Sequence, residues 1–494
     1  MTKREAFNGK PYAGNPHVRF DEGEAASTAT SRRGSLLYKQ SAGKGKENGM
    51  RLKLSESVFF SSVGDRVYVR DVDSHKDYLF EGSAYDIMTL LRKQCSLSEL
   101  LDCLRRGYNI KDEEEFESAI RSFIDILIKD NLVVVDGFQS NLNRIGIDTL
   151  MKQEAMKLRR LWSVTLELTY RCNQHCIHCY LDDEKDQTAE GELTGSEWKR
   201  VVDECAELGC MNVLVTGGEP TLHREFLDVC RYVVSKGMLL DVYTNGLFIS
   251  DEIFDALLKL KLNSVSVSLY GGSAEFHDSI TRVSGSYDRT LMTALKFKSA
   301  GKDMFIKTVL FRNHIDEYFK LKKIASRYGM IVSPASIITG SRSGRSNADL
   351  IITNEEFKRL LQEDESFRSS SECGVGRDIN GPVCMAGQNA LSVDPFGKVF
   401  PCNALHLEVG NIRVHSISDI WEKSEKLSEV RNIRLADISS SCKICDCVDI
   451  CSCCLGAAYA ENNGDLGRFI PVCDQTKVRS RFIKQTNNNK GEEK

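Results

Sequence analysis

Three cysteines in the run Tyr170-Arg-Cys172-Asn-Gln-His-Cys176-Ile-His-Cys179-Tyr180 have the spacing C-x3-C-x2-C. Three thiolates can hold three irons of a [4Fe–4S] cluster, where four would saturate it. The fourth iron then stays open to a ligand, as a catalytic metal site keeps one position free. An open iron points to radical chemistry and not to mere storage of a cluster. A structural zinc site usually takes two C-x2-C pairs, and a redox disulfide takes an isolated C-x2-C. The uneven trio suits neither.

The cysteines follow Val164-Thr-Leu-Glu-Leu-Thr-Tyr170, whose alternation reads as a strand. Thr194-Gly-Ser-Glu197 has the form of a capping box. Trp198, Val201, Val202, Cys205 and Leu208 then recur at helical spacing, and Gly209 can end that helix. Asn212–Thr216 reads as the next strand and runs into Gly217-Gly-Glu-Pro220. Further along come a helix near 222–236, a strand at 239–244 ending in Thr244-Asn-Gly246 and a helix near 251–260. Strands follow at 264–269, 304–310 and 330–336. Strands interleaved with helices predict a parallel βα barrel, open or closed. Chemistry in such barrels lies at the C-terminal strand ends. The cysteines, the Gly217-Gly218-Glu219 turn and Asn245 all fall there.

The C-x3-C-x2-C run followed by a tyrosine, and then GGEP after the second strand, resembles the radical S-adenosylmethionine (SAM) enzymes over roughly residues 161–340. The resemblance implies that the amine and carboxylate of SAM chelate the open iron held by Cys172, Cys176 and Cys179. It places Gly217, Gly218 and Glu219 against SAM, with Asn245, Ser268 and Arg282 as candidates for its ribose or carboxylate. Without the cysteine run, GGEP would read as an ordinary tight turn. Ser268 and Asn245 would then be polar strand ends.

A second cysteine field fills the C-terminal third. Cys384-x12-Gly397-x4-Cys402 is followed by Cys442, Cys445, Cys447, Cys451, Cys453, Cys454 and finally Cys473. This resembles the SPASM extension, which carries auxiliary [4Fe–4S] clusters in peptide-modifying radical SAM enzymes. Cys442-x2-Cys445-x5-Cys451 fits its pattern, whereas Cys454 comes one residue early. The resemblance implies one cluster on Cys384, Cys402 and Cys454, and another on Cys442, Cys445, Cys451 and Cys473. The first set lacks a fourth thiolate. Cys373 is one candidate, and an open site that binds a substrate thiolate is the alternative. A zinc ribbon would use four cysteines in two pairs and leave several idle.

Eighteen cysteines in 494 residues is high, and the two patterns absorb ten. The others are 95, 103, 205, 210, 230, 373, 447 and 453; Cys205 falls on an apolar helix face as a small hydrophobe. The chain shows no secretory signal, which argues against a disulfide framework. A net charge of −4 implies no polyanionic partner. No apolar run approaches the roughly 18 residues of a membrane span. Oxygen-sensitive clusters suit a reducing cytoplasm.

Residues 1–49, rich in Gly, Ser, Lys and Arg, read as disordered or as an extension upstream of the true start. Residues 51–137 read as strands around Val63-Gly-Asp65, helices at 83–91, 96–104 and 113–129, and a closing strand at 131–136. This is a winged-helix-like order. Their 12 Lys and Arg against 17 Asp and Glu give a net charge of −5, the wrong sign for a DNA reader. The order, with Phe80-Glu-Gly-Ser-Ala-Tyr85, resembles the PqqD-like recognition element of ribosomally made, post-translationally modified peptides. That resemblance implies a leader peptide added as an extra strand. The expected layout continues with a linker helix at 138–160, the radical SAM core at 161–340, a linker at 341–383, the SPASM domain at 384–475 and a polar tail at 476–494. The expected fold class is thus α/β: a partial (β/α)6 barrel between a winged-helix-like domain and a Cys-rich domain.

These resemblances imply an enzyme that cleaves SAM to a 5′-deoxyadenosyl radical and takes a hydrogen from a precursor peptide. The expected product is a crosslink, first a cysteine thioether and second a carbon–carbon or carbon–oxygen bond. A flavodoxin or ferredoxin would supply the electron. Quinone-cofactor maturation and sulfatase maturation are alternatives within the same chemistry. A DNA-binding regulator that senses oxygen through clusters is the alternative from another class. The sequence singles out no catalytic acid or base; Asp241, Tyr270 and His277 are equal candidates.

Overall fold

The computed structural model describes residues 51–135, 155–181, 189–368 and 378–492, apart from 56, 65, 73–75, 111 and 131; before them it describes only 4–5 and 17–18. Cys373 and most of the expected linker helix lie outside the described residues. The chain divides into two compact units, Met1–Leu158 and Arg159–Lys494.

In the first unit, strands β2 (Val58–Val63), β3 (Arg66–Asp71) and β4 (Lys76–Glu81) form an antiparallel meander. Strand β1 (Arg51–Leu54) pairs antiparallel with β5 (Cys95–Ser96) and β6 (Val133–Val135). Helices α1 (Gly82–Leu91), α2 (Leu97–Gly107) and α3 (Glu113–Lys129) bury Ile87, Met88, Leu100, Leu104, Ile120 and Phe123 in one core. A capping box starts α2: the Ser96 side chain accepts from Glu99 N, and Glu99 accepts from Ser96 N. Residues 17–18, in the stretch expected to be disordered or upstream of the true start, pair parallel with Leu79 and Phe80 on the edge of β4.

The second unit is built on one sheet. Strands β7 (Ser163–Glu167), β8 (Asn212–Thr216), β9 (Leu239–Thr244), β10 (Ser264–Ser268), β11 (Met304–Val309) and β12 (Ile331–Ala335) run parallel in sequence order. Helices α4 (Gly195–Glu207), α5 (Phe226–Ser235), α6 (Asp251–Lys259), α7 (Ala274–Thr281), α8 (Ser286–Ser299) and α9 (Ile315–Arg327) connect them. The barrel is open. On the far side of β7, strand β13 (Ala390–Val393) adds in parallel, and β14 (Lys398–Phe400) and β15 (Gly410–Asn411) follow antiparallel. The Cys-rich part therefore extends the barrel sheet itself. Trp198, Val202, Val213, Val242, Leu391 and Trp421 share the resulting core.

Two expectations about connecting segments are corrected. The stretch expected to be a linker, 341–383, contains helix α10 (Asn354–Glu363), whose Phe357, Leu360 and Leu361 are fully buried with Leu310 and Tyr318. Its apolar residues recur at 3- and 4-residue spacing, so it packs against the barrel. The stretch expected to be a polar tail belongs to helix α15 (Ile470–Glu492). Gln475, Thr476 and Ser480 are buried there, and Arg479 stacks over Phe357 and donates to Phe367 O. The polar composition hides one packed face. Phe357→Ala should cost about 3–5 kcal/mol, read as a lower urea midpoint for the second unit; a free linker would leave the midpoint unchanged.

Candidate active site

The turn after β8 is pressed onto the segment that leads into the cysteine loop. Gly218 N donates to Thr169 O (2.7 Å) and Glu219 N to Arg171 O (2.8 Å). Gly217 has φ 143°, and a Cβ there would lie 2.3 Å from Thr169 O. A Cβ on Gly218 would meet Tyr170 O at 2.3 Å and Arg171 O at 2.4 Å. Only glycine fits at either position.

Glu219 is buried, and its carboxylate is fully engaged. Oε1 accepts from the hydroxyls of Thr221 and Thr244, both at 2.7 Å, and from Thr221 N. Oε2 accepts from Asn245 N at 2.7 Å. Burial pushes this carboxyl above its ordinary range against those hydrogen bonds. Glu219 thereby ties the end of β8 to the end of β9. It also brings Asn245 to the loop: Asn245 Nδ2 donates to Asn173 Oδ1 (2.6 Å) and lies 3.7 Å from Cys172 Sγ.

The opposite side of the loop is fixed by α7. His175 N donates to Thr281 O, and Ile177 N to Ile280 O. The Tyr270 hydroxyl lies 3.9 Å from Cys176 Sγ and is hydrogen-bonded to Ser268. Arg282 is exposed and left-handed (φ 56°) at the end of α7. Of the expected SAM-facing residues, Gly217, Gly218, Glu219 and Asn245 thus gather at the cysteine loop. Ser268 reaches it through Tyr270, and Arg282 stands at its outer edge.

Cys179 lies inside the electrostatic reach of both Cys172 and Tyr270, and Cys176 inside that of Tyr270. Burial raises the Cys172 thiol to about 11, opposed by N–H groups of Gln174 and Asn245. A sulfur so placed becomes a thiolate only against a bound cation. Amide donors aimed at sulfur are among the contacts that tune cluster thiolates. The donor set fits a three-thiolate cluster.

The C-terminal cysteines fall into two neighbourhoods. Cys402 lies against Cys384 and Cys454, and burial pushes it up to about 12. Leu405 N donates to Cys402 Sγ (3.3 Å) and Ala457 N to Cys454 Sγ (3.5 Å). Cys442 lies against Cys473 and Cys445. Cys384, Cys402, Cys442 and Cys451 all pack on one apolar cluster around Val383, Leu405 and Leu455. Cys453, in neither sequence pattern, is buried in that cluster and neighbours Cys451, Cys454, Cys473 and Cys384. Cys447 is buried, donating to Asp446 and hydrogen-bonded to Ser480.

Two further features escaped the sequence. Glu167 at the end of β7 is fully buried and pairs with Arg342 Nη2 at 2.8 Å. The Tyr180 hydroxyl donates to the same carboxylate at 2.5 Å, and the Arg342 guanidinium stacks over Tyr170 (4.7 Å) and Tyr180 (5.0 Å). The tyrosine after Cys179 is thus locked beneath a buried cation. A carboxylate in a strand buried on both faces was the available signal. Arg342, Arg345 and Asn347 sit in Thr339-Gly-Ser-Arg-Ser-Gly-Arg-Ser-Asn347, whose composition reads as a loop. A cavity of about 390 Å³ opens beside this node, lined by Tyr180, Arg342, Asn403, His406 and Tyr459.

The three acid–base candidates separate. Asp241 accepts from Asn263 Nδ2 (2.8 Å) and from the Ser264 hydroxyl, a structural role that joins β9 to the start of β10. His277 is fully buried, its Nδ1 accepts from Tyr270 N at 3.1 Å, and burial lowers it to about 4. Of the three, Tyr270 alone approaches a cysteine of the loop.

With this geometry, residues 166–321 match the radical SAM superfamily, and residues 384–448 match an iron–sulfur cluster-binding domain, SPASM. The chain thus carries a radical SAM domain and a SPASM domain and is an enzyme that binds SAM and a [4Fe–4S] cluster, with auxiliary iron–sulfur clusters in the SPASM part. It is 27% identical over 338 residues to an AdoMet-dependent heme synthase of Methanosarcina barkeri, covering 63% of this chain and 95% of that one. It is 28% identical over 295 residues to the mycofactocin maturase MftC of Mycolicibacterium smegmatis (56% and 74%). A PqqA peptide cyclase of Methylocella silvestris is 28% identical over 326 residues (62% and 86%). The fold matches that of Streptococcus suis SuiB bound to precursor peptide SuiA with TM-score 0.62 at 16% identity, covering 86% of this chain and all of that one. It matches anSMEcpe with bound AdoMet with TM-score 0.52 at 17% identity, covering 66% and 96%.

Gly218→Ala should displace residues 170–171 and remove the iron of the site cluster while the iron of the C-terminal cysteines stays; metal analysis and visible absorbance report this. The buried neutral His277 gives a pH signature. Its folded value lies below the unfolded ~6.5, so its stabilisation is complete above that pH and is lost as pH falls toward 4. Urea unfolding at pH 5 should show about 2 kcal/mol less stability than at pH 7 from this group, a difference that His277→Gln abolishes.

Proposed function

We propose that this chain matures a ribosomally made precursor peptide, closing a crosslink in it, most readily a thioether from a cysteine sulfur to a peptide carbon. The observation that carries this reading is the N-terminal unit. Its β2-β3-β4 meander has β4 at an edge that accepts another strand, as its pairing with residues 17–18 illustrates. An extended peptide adds to such an edge through main-chain hydrogen bonds. The match to SuiB covers 86% of the chain, more than Arg159–Lys494 alone can supply, whereas the match to anSMEcpe covers 66%. The added coverage of the N-terminal unit favours a leader-guided peptide substrate.

In this reading Cys172, Cys176 and Cys179 hold the site cluster. The bound cluster and SAM supply a 5′-deoxyadenosyl radical when an electron arrives, with a flavodoxin or ferredoxin as donor. Gly217 and Gly218 offer their backbone to SAM. Glu219 shapes that turn through its four hydrogen bonds, and Asn245 orients Cys172. Ser268 acts through Tyr270, and Arg282 at the loop edge is the remaining candidate for a carboxylate. Cys384, Cys402 and Cys454 hold one auxiliary cluster, with Cys373 or Cys453 as its fourth ligand. Cys442, Cys445, Cys451 and Cys473 hold the other. The cavity beside Tyr180 and Asn403 receives the residue to be modified. It lies between residues that follow Cys179 and Cys402, so a substrate there sits between two clusters.

The test is anaerobic incubation of the cluster-reconstituted chain with SAM, dithionite and a leader-bearing, cysteine-containing peptide. The expected product has lost two hydrogen atoms, carries one fewer alkylatable thiol, and forms with 5′-deoxyadenosine. Peptide left unchanged while 5′-deoxyadenosine accumulates would sink the peptide reading. In that case heme synthesis, the activity named for the AdoMet-dependent heme synthase relatives, is the next assay.

A further inference from the structure

The carbonyls of the cysteine loop are held from one side by two residues outside both cysteine patterns. Arg345 donates from Nη1 to Ile177 O (2.9 Å) and from Nη2 to Cys179 O (3.1 Å). Asn347 Nδ2 donates to His178 O (3.2 Å) and to Thr339 O (2.7 Å). Every carbonyl from Ile177 to Cys179 is therefore taken. Asn347 is 1% exposed, and its amide is fully partnered, because its Oδ1 accepts from Arg345 Nη1 at 2.7 Å. A buried amide of this kind is costly unless every partner is in place, so it specifies one loop conformation.

The same node reaches the Cys-rich part. Asn347 N donates to Glu461 Oε1 (3.0 Å), and the Ser346 hydroxyl donates to Glu461 Oε2 (2.5 Å). Glu461 is the last residue of helix α14 (Leu455–Glu461), and Cys454 is the N-cap of that helix. A helix of two turns is stiff. One of its ends carries an auxiliary-cluster sulfur, and the other grips the residue that shapes the site-cluster loop.

We propose that Arg345 and Asn347 are positioning residues of the site cluster. They set its reduction potential and its geometry toward SAM, and Glu461 couples them to the auxiliary-cluster helix. Hydrogen bonding, net charge and exposure are the levers a protein has over a cluster's potential. Arg345 brings a positive charge to the loop, and the node brings the fixed peptide planes. The proposal needs the site cluster and SAM but no particular substrate, so it stands apart from the peptide reading.

The experiment is potentiometric electron paramagnetic resonance of the reconstituted full chain, with and without SAM and with no peptide. Uncoupled release of 5′-deoxyadenosine is followed in parallel. Arg345→Gln removes the charge and the two-nitrogen fork that reaches Ile177 O and Cys179 O. Asn347→Asp keeps the shape but leaves His178 O and Thr339 O without donors. Both should move the site-cluster potential to more negative values and alter its SAM-induced spectral change, while the auxiliary signals keep theirs. Glu461→Ala should give a smaller shift of the same sign, and Arg345→Lys should restore most of the wild-type potential. Unchanged site-cluster potential and spectrum in Arg345→Gln overturn the proposal. So does a shift of the auxiliary signals as large as that of the site cluster, which would mark a general loosening. Arg345 is exposed, so its variants remain informative if Asn347→Asp does not fold.

Discussion

The site depends on one close approach: the backbone of Gly217-Gly218 lying on the carbonyls of residues 169–171. These carbonyls belong to the last residues before Cys172. No side chain fits between the two segments, so their separation is fixed by backbone hydrogen bonds and not by the compressible packing of side chains. Glu219 then carries the constraint sideways into β9 and to Asn245. A motif that reads as a ligand contact is thus first a piece of carpentry. Its glycines place the cysteine loop, and its carboxylate is consumed in joining two strand ends. Whatever backbone the turn offers SAM is a by-product of the same geometry.

A second constraint acts from below. Glu167, Arg342, Tyr170 and Tyr180 form a buried charge pair enclosed by two rings. Removing one partner of such a pair leaves an uncompensated charge in the interior, which costs several kcal/mol. The pair therefore fixes the segments on either side of the cysteine loop. Tyr170 also donates to Asp394, at the end of β13 in the Cys-rich part (3.2 Å). Because β13 is a strand of the barrel sheet paired with β7, strand spacing registers Asp394 against the segment that leads into the site loop. Two cluster-bearing regions far apart in sequence are thereby registered on one scaffold.

The barrel was legible because its strands are short alternating or apolar runs interleaved with helices, one of which opens on the capping box Thr194–Glu197. The cysteine trio was legible because spacing alone constrains ligands. What the sequence concealed were groups whose role depends on burial. Arg342, Arg345 and Asn347 lie in a Ser/Gly/Arg stretch that composition cannot distinguish from a tether, yet Asn347 is buried with every polar group engaged. Helices α10 and α15 were misread for the same reason: one packed face is enough for a helix whose remaining surface is polar. Cys453 is the clearest case. The spacing pattern has no place for it, and only its burial among Cys384, Cys451, Cys454 and Cys473 reveals it.

The Cys-rich part shows how metal and fold are bound together. Its apolar cluster counts Cys453 among its buried members and packs Cys384, Cys402, Cys442 and Cys451 against Val383, Leu405, Val430 and Leu455. A thiol there behaves as a small hydrophobe, and burial raises Cys402 and Cys453 far from ionisation. Neutral thiols so placed can pack without metal. Cluster thiolates, by contrast, must be charged, and burying an unpaired charge is strongly unfavourable. Ionisation of these sulfurs is therefore tolerable only when iron arrives, and the energy of the Fe–S bonds becomes folding energy for this part of the chain. Helix α14 begins at Cys454, a neighbour of Cys402, and ends on the node that shapes the site loop.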